Sequence, residues 1–204
     1  KLKNIKFIGN LKFSQKEKVK SYPPKYLNKF LSSKIFWCAS STHEGEELIC
    51  AKAHLQLKDK YKKIVSIIIP RHIHRVPKLI KLFEDIDLKI HCHSWKREIP
   101  QNTDLYLVDT YGDTHLFYSL SKLVFMGGSI IKHGGQNPLE ASRLGCNIIH
   151  GPNVQNFKDI YLLLKKLAIS DKISSSKTLV KKVQMNLRKS TNTKNISKKI
   201  ELMG

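Results

Sequence analysis

The sequence predicts an α/β domain, a parallel sheet with helices on both faces. Three observations predict it. Short apolar runs alternate with segments of helical periodicity from residue 35 to about residue 168. One of the runs, residues 64–69, is almost wholly β-branched, as a strand buried on both faces should be. Chains that alternate in this way form right-handed βαβ crossovers, which bury the sheet between two helical layers.

The elements follow in order. Residues 1–34 read as a lead-in, a linker with a short helix, because Pro23-Pro24 and many lysines break any periodicity. Residues 35–39 are a strand. Residues 44–61 carry Leu48, Ala51 and Leu55 at helical spacing. After the strand 64–69, a helix over 74–84 puts Val76, Leu79, Ile80 and Phe83 on one side. Residues 88–91 and 105–108 are short strands. A helix over 114–121, a strand over 123–126, a helix over 138–144, a strand over 147–150 and a helix over 157–168 complete the alternation. Residues 170–178 read as a Ser/Lys-rich loop, and Leu179, Val183 and Leu187 as the apolar face of a last basic helix. The boundaries are therefore a lead-in over 1–34, the domain over 35–170 and a basic tail over 171–204.

Composition narrows the classes. The hydrophobic fraction is 41%, enough for a core. No apolar run reaches the ~20 residues that a spanning helix needs. The Lys-rich start is not followed by the apolar segment of a secretory leader. A chain that opens at Lys1 and passes directly into Ile5-Lys6-Phe7-Ile8 reads as a piece cut from a longer protein. The net charge is +21, but it comes from 32 Lys and only 5 Arg, and aromatics do not interleave with the lysines. Nucleic-acid readers lean on arginine forks and stacking aromatics, so a nucleic-acid partner is not expected. Attraction to an anionic membrane surface is. Cys38, Cys50, Cys92 and Cys146 form no C-x-x-C pair and read as reduced, buried thiols. His91 and His93 would share a strand face without a third ligand nearby, so no metal is expected.

In such a fold, ligands sit outside the carboxyl ends of the strands, so the loops there carry the function. After the first strand, Ser41 and Glu44 match an S-x-x-E capping box, with His43 beside it. After the second, Pro70-Arg71-His72 puts a scarce arginine where a phosphate would lie. After 105–108 comes Asp109-Thr110-Tyr111-Gly112-Asp113-Thr114, whose glycine allows close approach and whose Asp113 or Thr114 would cap the next helix. After 123–126 come Gly127-Gly128-Ser129 and Gly134-Gly135-Gln136-Asn137-Pro138-Leu139-Glu140. Asn137 suits an N-cap, Pro138 the first helical position and Glu140 the third. The glycines would leave amides open to an anion, and Glu140 could accept from ribose hydroxyls. This is neither a dinucleotide fingerprint nor a P-loop. His150-Gly151-Pro152-Asn153 reads as an ordinary turn on the same edge.

Taken in order, these segments resemble the C-terminal half of the bacterial 3-deoxy-D-manno-octulosonic acid (Kdo) transferases. The resemblance rests on residues 39–47, Pro70-Arg71-His72, Asp109-Thr110-x-Gly112, residues 125–129 and Gly134-Gly135-x-Asn137-Pro138-Leu139-Glu140, and it begins at Gly9–Phe13. Gln136 stands where the family has His, and Asp113 where it has Glu. The resemblance implies one Rossmann-like lobe of a two-lobed GT-B glycosyltransferase. It implies CMP-Kdo as donor, the lipid A precursor as acceptor and a place at the cytoplasmic face of the bacterial inner membrane. By position, CMP would be held by Pro70 and Arg71, by Thr110, Tyr111, Gly112 and Asp113, and by Asn137, Pro138, Leu139 and Glu140, with His43 and Gly128 as further candidates. No metal or other cofactor is implied. The general base would be a glutamate in the N-terminal lobe outside this chain, so the fragment alone is expected to be inactive. Two other classes stay open on the residues alone, a UDP-sugar transferase or epimerase of the same architecture and, more weakly, a basic nucleic-acid-binding module.

Overall fold

The computed structural model describes residues 22–188 together with Ile196, Lys198 and Ile200. The Gly9–Phe13 segment and most of the basic tail beyond residue 188 lie outside the described residues. Seven strands make one sheet: β1 (Ile35–Thr42), β2 (Ile64–Pro70), β3 (Ile90–Cys92), β4 (Leu105–Leu107), β5 (Leu123–Met126), β6 (Asn147–His150) and β7 (Ser170–Lys172). All ladders are parallel, in the order β3-β4-β2-β1-β5-β6-β7. The helices are α1 (Lys25–Ser32), α2 (Glu46–Lys60), α3 (Val76–Glu84), α4 (Thr114–Leu120), α5 (Leu139–Arg143), α6 (Lys158–Lys166) and α7 (Ser176–Arg188).

Alternate residues of each strand feed two separate cores. Cys38, Val65, Ile67, Tyr106, Val124, Met126 and Ile148 face α1, α4, α5 and α6. Trp37, Ala39, Ile68, Leu107, Phe125 and Ile149 face α2, α3 and α7. All seven residues of β2 are buried, which is why its sequence shows no polar face.

Four sequence expectations need correction. The lead-in is not separate from the domain: α1 buries Leu27, Phe30 and Leu31 in the first core. Residues 176–188 of the expected tail are not separate either, because α7 buries Leu179 and Val183 in the second. Residues 170–172 form β7 rather than loop, pairing with Ile148–His150. Its Ser-Asp-Lys sequence is polar because among the described residues it is the edge strand of the sheet, so hydrophobic patterning could not find it. The third strand lies two residues later than the 88–91 expected.

The amino ends of the strands are fixed by one carboxylate. Asp104, with a side chain only 4% exposed, lies 2.6 Å from Lys58 Nζ and 3.5 Å from His54 Nε2. It also accepts a hydrogen bond of 3.0 Å from the Lys89 amide. Burial alone would raise its pKa, but the bonds from His54, Lys58 and Lys89 win and hold it at about 2. Asp104→Asn is therefore expected to cost ~3 kcal/mol in urea unfolding near neutral pH. A folded-state pKa below the unfolded value contributes stability above the unfolded pKa and loses it as pH falls through the folded one. The gap between wild type and Asp104→Asn should accordingly close as pH is lowered from about 5 to about 2. A gap independent of pH would assign the loss to packing instead.

Candidate functional site at the carboxyl edge

From β1 the chain goes to β2, then to the edge strand β3, then back to β4 between them, before it places β5 on the other flank of β1. The strand order thus reverses between β1 and β5, and a crevice opens outside the carboxyl ends of strands at such a point. Adjacency of β4, β2, β1 and β5 lines up the loops after residues 107, 70, 42 and 126 along one edge. Every site residue named from sequence falls on these loops or on the first turn of α5.

The loop after β1 is built differently from the expected capping box. β1 continues to Thr42, with a register shift where Ser41 takes the left-handed φ of 53°. Gly45 turns the chain at φ 90°, and α2 begins at Glu46. Glu44 is exposed and pairs only with Lys78 at 3.0 Å. The side chain that reaches back to the loop amides is instead Glu46, two residues on. Its carboxylate accepts from the His43 amide at 3.0 Å. It also accepts from the amides of Gly128, Ser129 and Ile130 at 2.7, 3.0 and 2.9 Å. Glu46 is fully buried. One side chain therefore fills a nest of four amides and ties the β1 loop to the β5 loop. Those amides are committed, so Gly128 is not an amide donor to a ligand. The next residue, Glu47, is held in a fork by Arg75, at 2.7 and 3.3 Å.

Arg71 stands apart from that pattern. Its amide donates to Thr42 O at 2.9 Å, which fixes the turn after β2. Its side chain is exposed, and no hydrogen bond or ion pair engages the guanidinium among the described residues. Arg75, one turn later, is consumed by Glu47, so Arg71 presents its charge outward where the loops converge.

In the turn after β4, Asp109 accepts from the amide and hydroxyl of Ser94. Thr110 donates to Asp113, and His93 lies 3.7 Å from the same carboxylate while bonding the Tyr106 hydroxyl. Asp113 precedes α4 but makes no side-chain cap; its carboxylate is turned to Thr110 instead. Gly112 has φ 88° in open space, and Tyr111 is 75% exposed. His91 and His93 do not act as a pair: His91 packs against Trp95 and Tyr106.

Around the β5 loop, Gly134 and Gly135 admit the neighbouring β6 loop rather than a ligand. Gly134 and Gly135 have φ of 101° and 81° and press against Asn156 and Val154 of the β6 loop. The loops are tied by bonds from Gly135 to Gly128 O, from Asn153 to Ser129 O and from Asn156 to Gly134 O. The turn after β6 is thus a brace, more than the ordinary turn its sequence predicts. Asn137 Oδ1 accepts from the Leu139 amide at 3.1 Å, but α5 begins at Leu139 with Pro138 at its N-cap, one residue later than the cap expected at Asn137. Glu140 lies half-buried on the first turn of α5.

Sequence reasoning missed a cluster of imidazoles. The His43 ring lies 4.1 Å from that of His133 and 5.9 Å from that of His72, and His72 lies 5.6 Å from His74. His43 is 8% exposed, and burial, chiefly, with His133 second, keeps its pKa below the ordinary histidine value; the Ser41 carbonyl and Glu46 oppose this without reversing it. The carboxyl edge is an open shelf. A cavity of about 470 Å³ lies elsewhere, between α1 and residues 98–101.

Comparison with known proteins follows the same edge. No family model matches the chain. Residues of this chain align at 35% identity over 128 positions with a 3-deoxy-D-manno-octulosonic acid transferase of Haemophilus influenzae, covering 63% of the chain and 30% of that protein. A protein of the same name from Rickettsia bellii is 34% identical over 175 positions, covering 84% of the chain and 41% of that protein. The chain spans less than half the length of these curated relatives. In structure it is similar to the C-terminal CMP-Kdo binding domain of WaaA from Acinetobacter baumannii, with a TM-score of 0.77 and 26% identity. That likeness covers 85% of this chain and 90% of that domain.

Proposed function

We propose that this chain, similar in sequence to Kdo transferases and in its Rossmann-like fold to the C-terminal CMP-Kdo binding domain of WaaA, is a donor-holding lobe that binds CMP-Kdo along the β4-β2-β1-β5 edge. The observation that carries this reading is Arg71. Among the described residues no hydrogen bond or ion pair engages its guanidinium, and it stands at the strand edge of a chain that supplies most of its positive charge as lysine. A planar guanidinium matches the two oxygens of a phosphate.

In the proposed complex, Arg71 meets the CMP phosphate, with Pro70 holding the turn. Glu140 accepts from the ribose, close to Asn137 just ahead of α5. The Thr110–Asp113 turn closes the far side, with Tyr111 free to lie on a flat base. Departure of CMP from the sugar builds negative charge on the phosphate, and a fixed cation there stabilises the transition state more than the ground state. Arg71 supplies that charge, so the mechanism calls for no metal ion. The acceptor, a lipid A precursor, and the base that removes its proton belong to the facing N-terminal lobe, and this chain alone is inactive. The surplus of lysine favours the anionic surface of the inner membrane, at its cytoplasmic face, where such an acceptor would lie.

Titration calorimetry of the chain with CMP tests the reading. Arg71→Ala is expected to weaken CMP binding by about 10- to 100-fold, the loss of a charge-assisted bidentate contact. UMP should compete poorly. Equal affinity for CMP and UMP would point to a different nucleotide-sugar enzyme, and no CMP binding by folded protein would sink the proposal.

A further inference from the structure

His43 carries a buried atom without a partner. Its Nδ1 lies 3.0 Å from the Ser41 carbonyl. A carbonyl only accepts, so Nδ1 bears the proton. Its Nε2 is buried and has no hydrogen-bond partner among the described residues. The side chain is 9% exposed. A buried polar atom left unpaired costs on the order of 1–3 kcal/mol, and in native proteins it calls for an explanation.

Its surroundings give one. A Cβ built on Gly128 would lie 3.3 Å from His43 Cε1, 3.2 Å from His133 Cδ2 and 3.4 Å from Gln136 Nε2. Three polar side chains therefore converge on the place where Gly128 has no side chain. This place lies beside β1 and β5, at the reversal of strand order. His133 is exposed, so it is free to swing away from His43 as a ligand enters.

Resting on the donor-lobe reading, we propose that His43 is a sugar-recognising residue, whose Nε2 accepts a hydrogen bond from a hydroxyl of the octulosonic acid part of the donor. The chemistry selects that partner. With Nδ1–H committed to Ser41, the neutral ring offers a lone pair at Nε2. A lone pair repels phosphate and carboxylate oxygens and takes an O–H. Burial and the neighbouring His133 keep the ring neutral, and His72 adds to this; Glu46, 4.0 Å away, is the acidic group that opposes it. The nucleotide's own hydroxyls are met at Glu140, on a different loop.

Two substitutions separate the ring's two nitrogens. In His43→Asn the side-chain amide can keep the donor to Ser41 O but has nothing at Nε2. In His43→Gln the reach to the Nε2 position is kept and the Ser41 bond is lost. Calorimetry with CMP and with CMP-Kdo, checked by thermal melts, reads the outcome. His43→Asn is expected to weaken CMP-Kdo about tenfold while changing CMP less than twofold, and His43→Gln to retain most CMP-Kdo affinity. Arg71→Ala should weaken both ligands. If His43→Asn binds CMP-Kdo like wild type, or loses CMP equally, the proposal is overturned. If wild type binds neither ligand, the donor-lobe reading fails and this proposal with it.

Discussion

Replacing Glu46 by alanine is expected to cost about 4 kcal/mol of stability, the largest loss from any single acidic residue at the carboxyl edge. The carboxylate accepts four backbone N–H groups, from His43, Gly128, Ser129 and Ile130. Removing it strands four donors where the side chain is fully buried. Each stranded group costs on the order of 1–3 kcal/mol, and water entering the vacated space recovers part of the sum. In a chain of this size ~4 kcal/mol corresponds to a fall in Tm of roughly 10 °C. Glu46→Gln should lie between, because its NH2 group must face amide donors that the carboxylate accepted. Glu44→Ala is the control. Glu44 is exposed and pairs with Lys78 at the surface, so its loss should leave the melting temperature close to that of wild type. Thermal melts of the three variants check the order. A Glu46→Ala protein as stable as Glu44→Ala would show that the nest does not hold the loops. CMP affinity should fall in Glu46→Ala as well, since the loops that carry the proposed contacts are positioned through this residue.

The contrast between these two acids shows how far the sequence was readable. Ser41 to Glu44 and His43 to Glu46 have the same i, i+3 spacing, and a capping rule sees only spacing. The choice is made by amides more than eighty residues away in the chain. Local pattern has no access to that. The strands were legible for the opposite reason. β2, β5 and β6 are buried on both sides, so their residue types alone mark them. β7 failed the same test because it is a polar edge. The carboxyl-edge loops were picked out by residue chemistry: Arg71 lies exposed on one of them, and Asn137 bonds the Leu139 amide just ahead of α5. The glycine pairs were read as room for a ligand, but Gly134 and Gly135 make room for the β6 loop. Glycine signals close approach without naming what approaches.

Gly127 carries that point to its strongest consequence. A Cβ there would lie 2.3 Å from Ser41 O and 2.7 Å from both Ser41 C and Thr42 Cα. All three are backbone atoms of the β1 bulge, so no side chain can rotate away. The Gly127 amide also donates to Ser40 O at 2.8 Å, which holds the two strands at this separation. Gly127→Ala must therefore either push β5 from β1 or flatten the bulge at Ser41, and both routes disturb the Glu46 nest. A loss of 3 kcal/mol or more, about the cost of forcing volume into a packed interior, is expected. Gly112→Ala isolates the alternative cause. Gly112 has φ 88° but nothing within 4 Å of its added Cβ. It pays only the left-handed backbone cost, roughly 1–2 kcal/mol. Urea unfolding of the two variants separates contact from conformation. A Gly127→Ala protein no less stable than Gly112→Ala would mean that β1 and β5 can part at their carboxyl ends, and the rigid shelf argued for the donor would lose its basis.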